Sequence, residues 1–147
     1  MTFRFRYQSL LDLRLAAEEA AQRELAGGLG ERAALEAQLA DMDGAILRSK
    51  ADLGASLVGR VDLRAVAGVA RLGADQAIRR REIGLQLDAM EAELDRRRDA
   101  VRAARAERRK LEVLRDRDRA AWQTAQNRRE QNALDEAAAR IAIGGAG

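Results

Sequence analysis

Gly54-Ala-Ser-Leu-Val-Gly-Arg-Val61, with Asp62 directly after it, is the stretch on which the fold depends. It holds two glycines and interrupts spacings that are helical on both sides. Upstream, apolar residues recur at Leu11, Leu15, Leu25 and Leu29, then at Leu35, Leu39, Met42, Ile46 and Leu53. Downstream, Val69, Leu72, Gln76, Arg79, Ile83, Leu87, Met90, Leu94, Arg97, Val101, Ala104, Arg108 and Leu111 keep steps of three and four without a slip. Such steps describe a heptad seam. Asp62 is placed to cap the second helix, because a short carboxylate at that position accepts an otherwise orphaned amide. Two long helices joined by one short turn fold back antiparallel.

The expected architecture is therefore all-α, a long two-helix antiparallel coiled-coil hairpin with the C-terminal helix overhanging. It is read as one hairpin over residues 1–147, with helix 1 about 9–53, turn 54–61, helix 2 about 62–141 and a disordered tail over 142–147. Ser9-Leu-Leu-Asp12 has the capping-box form for the start of helix 1. The step from Leu29 to Leu35 breaks the seam where Gly27, Gly28 and Gly30 cluster, and a soft spot is expected there.

Composition agrees with that class. The 147 residues contain no proline, cysteine or histidine, 35% are charged and 3% aromatic. Globular sheet-containing folds need more turn residues and more β-branched and aromatic filler. Without His or Cys, imidazole and thiolate metal sites and Ser-His-Asp or Cys-His nucleophiles are excluded. Gly54-x-x-x-x-Gly59 continues as Arg60-Val61, where a phosphate-binding loop requires Lys-Ser/Thr, so it reads as a turn. Carboxylate pairs such as Glu18-Glu19 lie on helix faces with no cleft to tune them. No cofactor, metal or small-molecule substrate is expected, and the chain does not read as an enzyme.

Net charge is +3, too small for a dedicated nucleic-acid binder. Arg79-Arg-Arg81 and Arg96-Arg-Arg98 point to different sides of a helix and are diluted by neighbouring acids. The opening Met1-Thr-Phe-Arg-Phe-Arg-Tyr7 is basic but is followed by no apolar signal core. No uncharged run approaches the length of a membrane span. A cytoplasmic protein is the expectation.

Pairing a helix that ends near Leu53 with one that starts near Asp62 makes the numbers of facing residues add to about 115. That places Ile46 by Val69, Leu39 by Gln76, Leu25 by Met90 and Leu15 by Val101, with Glu36 near Arg79, Arg32 near Glu82 and Glu18 near Arg97. At about 1.5 Å per residue, residues from about 108 to 141 are left without a partner in their own chain, although Leu111, Leu114, Trp122, Leu134 and Ile141 keep an apolar stripe there. A bare stripe on a long helix expects a partner, and Trp122 is either its contact or half-exposed against arginine stems.

The two ends of the chain carry a resemblance. Phe3-Arg-Phe-Arg-Tyr-Gln-Ser-Leu-Leu-Asp-Leu-Arg14, followed by Glu18-Glu19, resembles the start of the flagellar export protein FliJ family. Arg119-Ala-Ala-Trp122, Arg128-Arg-Glu-Gln131 and Leu134-Asp-Glu136 are similar to that family's end. The resemblance implies a non-enzymatic stalk of the bacterial flagellar type III export apparatus, peripheral at the cytoplasmic face of the inner membrane. Its implied partners are the export ATPase hexamer, the export gate membrane protein and export chaperones, with no nucleic acid. It implies that the ATPase ring is met by Trp122, Arg128, Arg129, Glu130, Gln131, Leu134, Asp135 and Glu136, with Leu10, Asp12 and Leu13 nearby. For the gate it implies Gln38 and Met42, while Ala45 and Ser49 stand where the family has aromatics. The alternatives are a generic coiled-coil scaffold or homodimer, and an Arg-rich binder of nucleic acid or anionic membrane.

Overall fold

The computed structural model describes residues 1–146, the side chain of Ser56 excepted. Gly147, the last residue of the expected tail, lies outside the described residues. Two helices, α1 (Gln8–Ser56) and α2 (Leu63–Gly144), account for nearly all of them, and no strand occurs among the described residues. The all-α class and the antiparallel pairing are as the periodicity predicts. The chain divides into two compact units, Ala20–Val101 and residues 1–19 with the α2 residues from Arg102 onward.

In the first of these units α1 continues through Gly54 and stops at Ser56, one turn later than expected. Leu57 N still donates to Leu53 O at 3.1 Å. A single helical glycine costs only about 1 kcal/mol, which the next turn of hydrogen bonds offsets. The reversal itself comes at Gly59, whose φ of 120° no side chain adopts cheaply. Asp62 is the cap: its Oδ1 accepts from Arg64 N at 2.9 Å, and Val66 N donates to Asp62 O at 3.1 Å.

That later helix end corrects the register. Facing numbers add to about 119 at the turn, one helical turn more than the sequence estimate. Ile46 still shares a depression with Val69, and Leu53 still lies with Ala65 at the start of α2. Farther from the turn the expected pairs are replaced. Arg32 meets Glu91 at 3.1 Å instead of Glu82, and Glu36 pairs with Arg32 in its own helix instead of with Arg79. Asp43 takes Arg80 at 3.0 Å. Met90 lies against Glu31, Ala34 and Leu35, not Leu25.

The glycine cluster is not a break. α1 runs through Gly27, Gly28 and Gly30, and only Gly28 is buried. A Cβ on Gly28 would stand 2.8 Å from both Leu94 Cδ2 and Arg97 Nη1, whereas Gly27 and Gly30 face open space. Gly28 is a notch that seats Leu94, which is 1% exposed. Beside it Arg97 Nη1 donates to the α1 carbonyl of Glu24 at 2.7 Å. Backbone-to-side-chain contact this close needs a missing side chain, so the seam break in the sequence marks tight packing.

In the second unit the chain enters α1 one residue before Ser9. Gln8 N donates to Phe5 O at 3.2 Å, Leu11 N to Tyr7 O at 2.9 Å, and Gln8 Nε2 to Asp12 Oδ1 at 2.9 Å. Ser9 is already inside the helix, so the expected capping box does not form. A backbone turn over Arg6 and Tyr7 starts the helix instead. Leu11 is completely buried and Phe5 nearly so.

Candidate functional site

The unit built from residues 1–19 and α2 from Arg102 onward contains both terminal signatures, and its interior is part apolar, part ionic. Glu18 is buried and its carboxylate accepts from Arg105 Nε at 3.2 Å and from Arg108 Nε. Arg108 Nη1 also reaches Glu112 Oε2 at 2.6 Å. The Arg108 hydrogen bond holds the Glu18 carboxyl below its ordinary value of 4.5, with Arg105 adding to the shift and burial opposing it. Arg108 is raised in turn by Glu18 and Glu112. A carboxylate fixed between two guanidinium groups sets register across the two helices, the best-attested use of such ionic contacts.

Beyond this clamp lies the main departure from the sequence reading. Residues from 108 onward are not bare. α1 reaches Arg108 through Glu18, and the segment Met1–Tyr7, a strap preceding α1, meets α2 at Trp122 and Gln126. Phe3 and Phe5 face inward while Arg4 and Arg6 are exposed, the period-2 pattern of extended chain. The Phe3 and Trp122 rings meet at 6.0 Å and 55°, and Gln126 Nε2 reaches Met1 Sδ at 3.8 Å. The spacing is that of an extended chain on a helix: two strap residues at about 3.3 Å each match four helical ones at about 1.5 Å. Phe5 and Tyr7 pack edge to face at 5.8 Å, and the Arg6 guanidinium lies 5.4 Å from the Tyr7 ring. Trp122 is half-buried, so its cover comes from this chain.

The strap joins no sheet ladder, and its apolar anchors are the buried Phe5 and the half-buried Phe3. Ordering its backbone costs about 1–2 kcal/mol per residue, which opposes what that burial contributes.

The overhang survives in shorter form. Every residue from Asn127 to Ala146 is exposed, including Leu134 at 65%, Ile141 at 75% and Ile143 at 79%. The bonds there are local: Gln123 Nε2 to Asn127 at 3.0 Å, Gln131 Nε2 to Asp135 at 3.1 Å, and Arg140 to Glu136 at 3.9 Å. Of the residues implied for the ring contact, Arg128, Arg129, Glu130, Gln131, Leu134, Asp135 and Glu136 are all on this bare segment. Trp122 lies just before it under Phe3. Leu10 and Leu13 are exposed on the first turns of α1, and Asp12 is engaged by Gln8. The strap residues Phe3 and Phe5 are the ones sequence reasoning missed as part of this end. Their signal is the aromatic-basic alternation Phe3-Arg-Phe-Arg6, which carries the family resemblance but has no heptad period to place it on α2.

Gln38 and Met42 belong to the other unit. With Asp41, Gln76 and Arg79 they line a shallow groove in which Gln76 Oε1 is buried without a hydrogen-bond partner. The arginine clusters are largely absorbed in ion pairs: Arg80 with Asp43, Arg96 and Arg97 with Glu93, Arg98 with Asp95 and Glu91. Surface pairs of this kind contribute little stability, but they leave those cations committed. Among the described residues no helix is long and apolar enough to cross a membrane, and no group of three or more acidic residues is placed to hold a metal.

The family model described as flagellar FliJ protein matches residues 3–147. The chain belongs to the FliJ family. It is thereby a component of the flagellar export apparatus, and the family is a non-enzymatic, coiled-coil participant in type III protein export. No curated protein and no solved structure matches it. The match begins at Phe3 and includes the bare end of α2, so the family pattern includes both the strap and the overhang.

Proposed function

We propose that the protein couples the flagellar export ATPase to the export gate, gripping the ATPase ring with the bare end of α2. The observation that carries this reading is the change at Gln126. Up to that residue α2 keeps a half-buried face, and from Asn127 to Ala146 it has none. Leu134 and Ile141 lie seven residues apart on that segment, a heptad stripe flanked by Arg128, Arg129, Glu130, Asp135 and Glu136. A short apolar stripe with charges of both signs beside it suits the lining of a protein ring, where a central apolar contact is bordered by polar rim pairs. Trp122, Gln131, Leu10, Asp12 and Leu13 complete the proposed contact. Binding free energy gained there would bias the arrangement of ring subunits, and so link ATP turnover in the ring to events at the gate.

The groove at Gln38 and Met42 is the proposed gate contact. Its buried Gln76 oxygen lacks a donor, and a partner's N–H or O–H group would supply one. Peripheral placement at the inner membrane and traffic with export chaperones belong to the same proposal. Co-purification with the hexameric export ATPase tests the main claim, comparing the full chain with one ending after Gln126. That cut leaves the strap and its seat whole. Loss of the ATPase from the shortened chain is expected, and equal recovery of both would refute the ring contact.

A further inference from the structure

Resting on that reading, we infer that the Met1–Tyr7 strap is a releasable clasp on α2, and that the ring must lift it from Trp122 to engage fully. Three observations carry this. First, the strap lies next to the bare segment: Phe3 lies on Trp122, Met1 on Gln126, and every described residue from Asn127 onward is exposed. A ring that grips Arg128 to Glu136 and extends one turn back along α2 meets Phe3 where it would meet Trp122. Second, the strap's tip is thinly anchored: Phe3 is half-buried, Arg4 and Arg6 are exposed and Met1 is 97% exposed, with Phe5 the one buried strap residue. The cost of ordering its backbone, about 1–2 kcal/mol per residue, opposes what that burial contributes, which makes lifting it accessible. Third, what it covers is the only aromatic ring on α2: Trp122 is half-buried under Phe3, and Gln126, one turn further on, is half-buried beside Met1.

The closed strap then acts as an intramolecular competitor. The apparent affinity for the ring is the intrinsic affinity multiplied by the fraction of molecules in which the strap is open. It also keeps the aromatic face of α2 covered until a ring is present.

The chain has no cysteine and one tryptophan, which permits a clean test. Thr2→Cys and Gln126→Cys are introduced together and bridged by a short bis-methanethiosulfonate, locking the strap shut. The control is the same chain with both cysteines carrying unlinked methanethiosulfonate adducts. Affinity for the ATPase hexamer is measured for both forms, and again after the bridge is removed by reductant. The bridged form is expected to bind about tenfold or more weakly, with recovery on reduction, and ring binding should change Trp122 emission only in the unlocked forms. Equal affinity of bridged and unlinked forms would overturn the clasp while leaving the ring contact standing. No binding by the unmodified chain would overturn the ring contact itself, and the clasp with it.

Discussion

Within one helix, residues 102–126 and residues 127–144 both carry large apolar side chains and have very different surroundings. The first segment carries Leu111, Leu114 and Trp122 half-buried. The second carries Leu134, Ile141 and Ile143, all more than 60% exposed. The difference lies in what the rest of the chain supplies. Among the described residues, contacts from α1 and the strap extend along α2 to Gln126. An apolar stripe left exposed is a candidate partner surface.

The largest expected effect comes from opening the packed part. Leu94→Ala leaves a hole at the Gly28 notch and is expected to cost about 2–5 kcal/mol, read by urea or thermal unfolding followed by circular dichroism. A loss below about 0.5 kcal/mol would mean the notch is not a packed site.

Glu18→Gln is expected to lower Tm by less than Leu94→Ala, because the amide keeps the shape and one acceptor while Arg108 retains Glu112. The sign with pH follows from the depressed Glu18 value. Its contribution is complete above the unfolded carboxylate value near 4.5 and is lost as pH falls through the lower folded value. Wild-type Tm should therefore decline on acidification below about pH 4.5, and Glu18→Gln should flatten that decline. Parallel curves for the two proteins would show that Glu18 is not the group concerned.

Three glycines sharpen the contrast by sign. Gly27→Ala and Gly30→Ala meet nothing within 4 Å and are expected to stabilise by roughly 0.5–1 kcal/mol. Gly28→Ala meets Leu94 and Arg97, so that gain should vanish or reverse. Equal stabilisation at all three positions would remove the notch from the account.

At the bare end, Leu134→Ala should change stability by less than about 0.5 kcal/mol while weakening ATPase recovery. A substantial drop in Tm would reveal packing there.

Much of this was legible in the residues. The three-four spacing gave the helices, Asp62 gave the cap, and the absence of proline let α2 run past its partner. The register was not legible, because Gly54 looked like a terminator and is carried inside α1, and one extra turn moves every facing pair. Gly28 was read as weakness because a notch and a soft spot share one residue type, and only the neighbours Leu94 and Arg97 distinguish them. The expected overhang from about 108 is shortened twice: the register shift carries α1 past Arg108, and Phe3-Arg4-Phe5-Arg6 has a period of two, which a search for heptads passes over, and covers Trp122.

The most direct measurement is amide hydrogen exchange along the full chain, alone and with the export ATPase hexamer. Free, residues 127–144 should exchange fastest within α2, and they should gain most of the protection when the ring is added. Protection confined to residues 20–101, with 127–144 unchanged, would contradict the account.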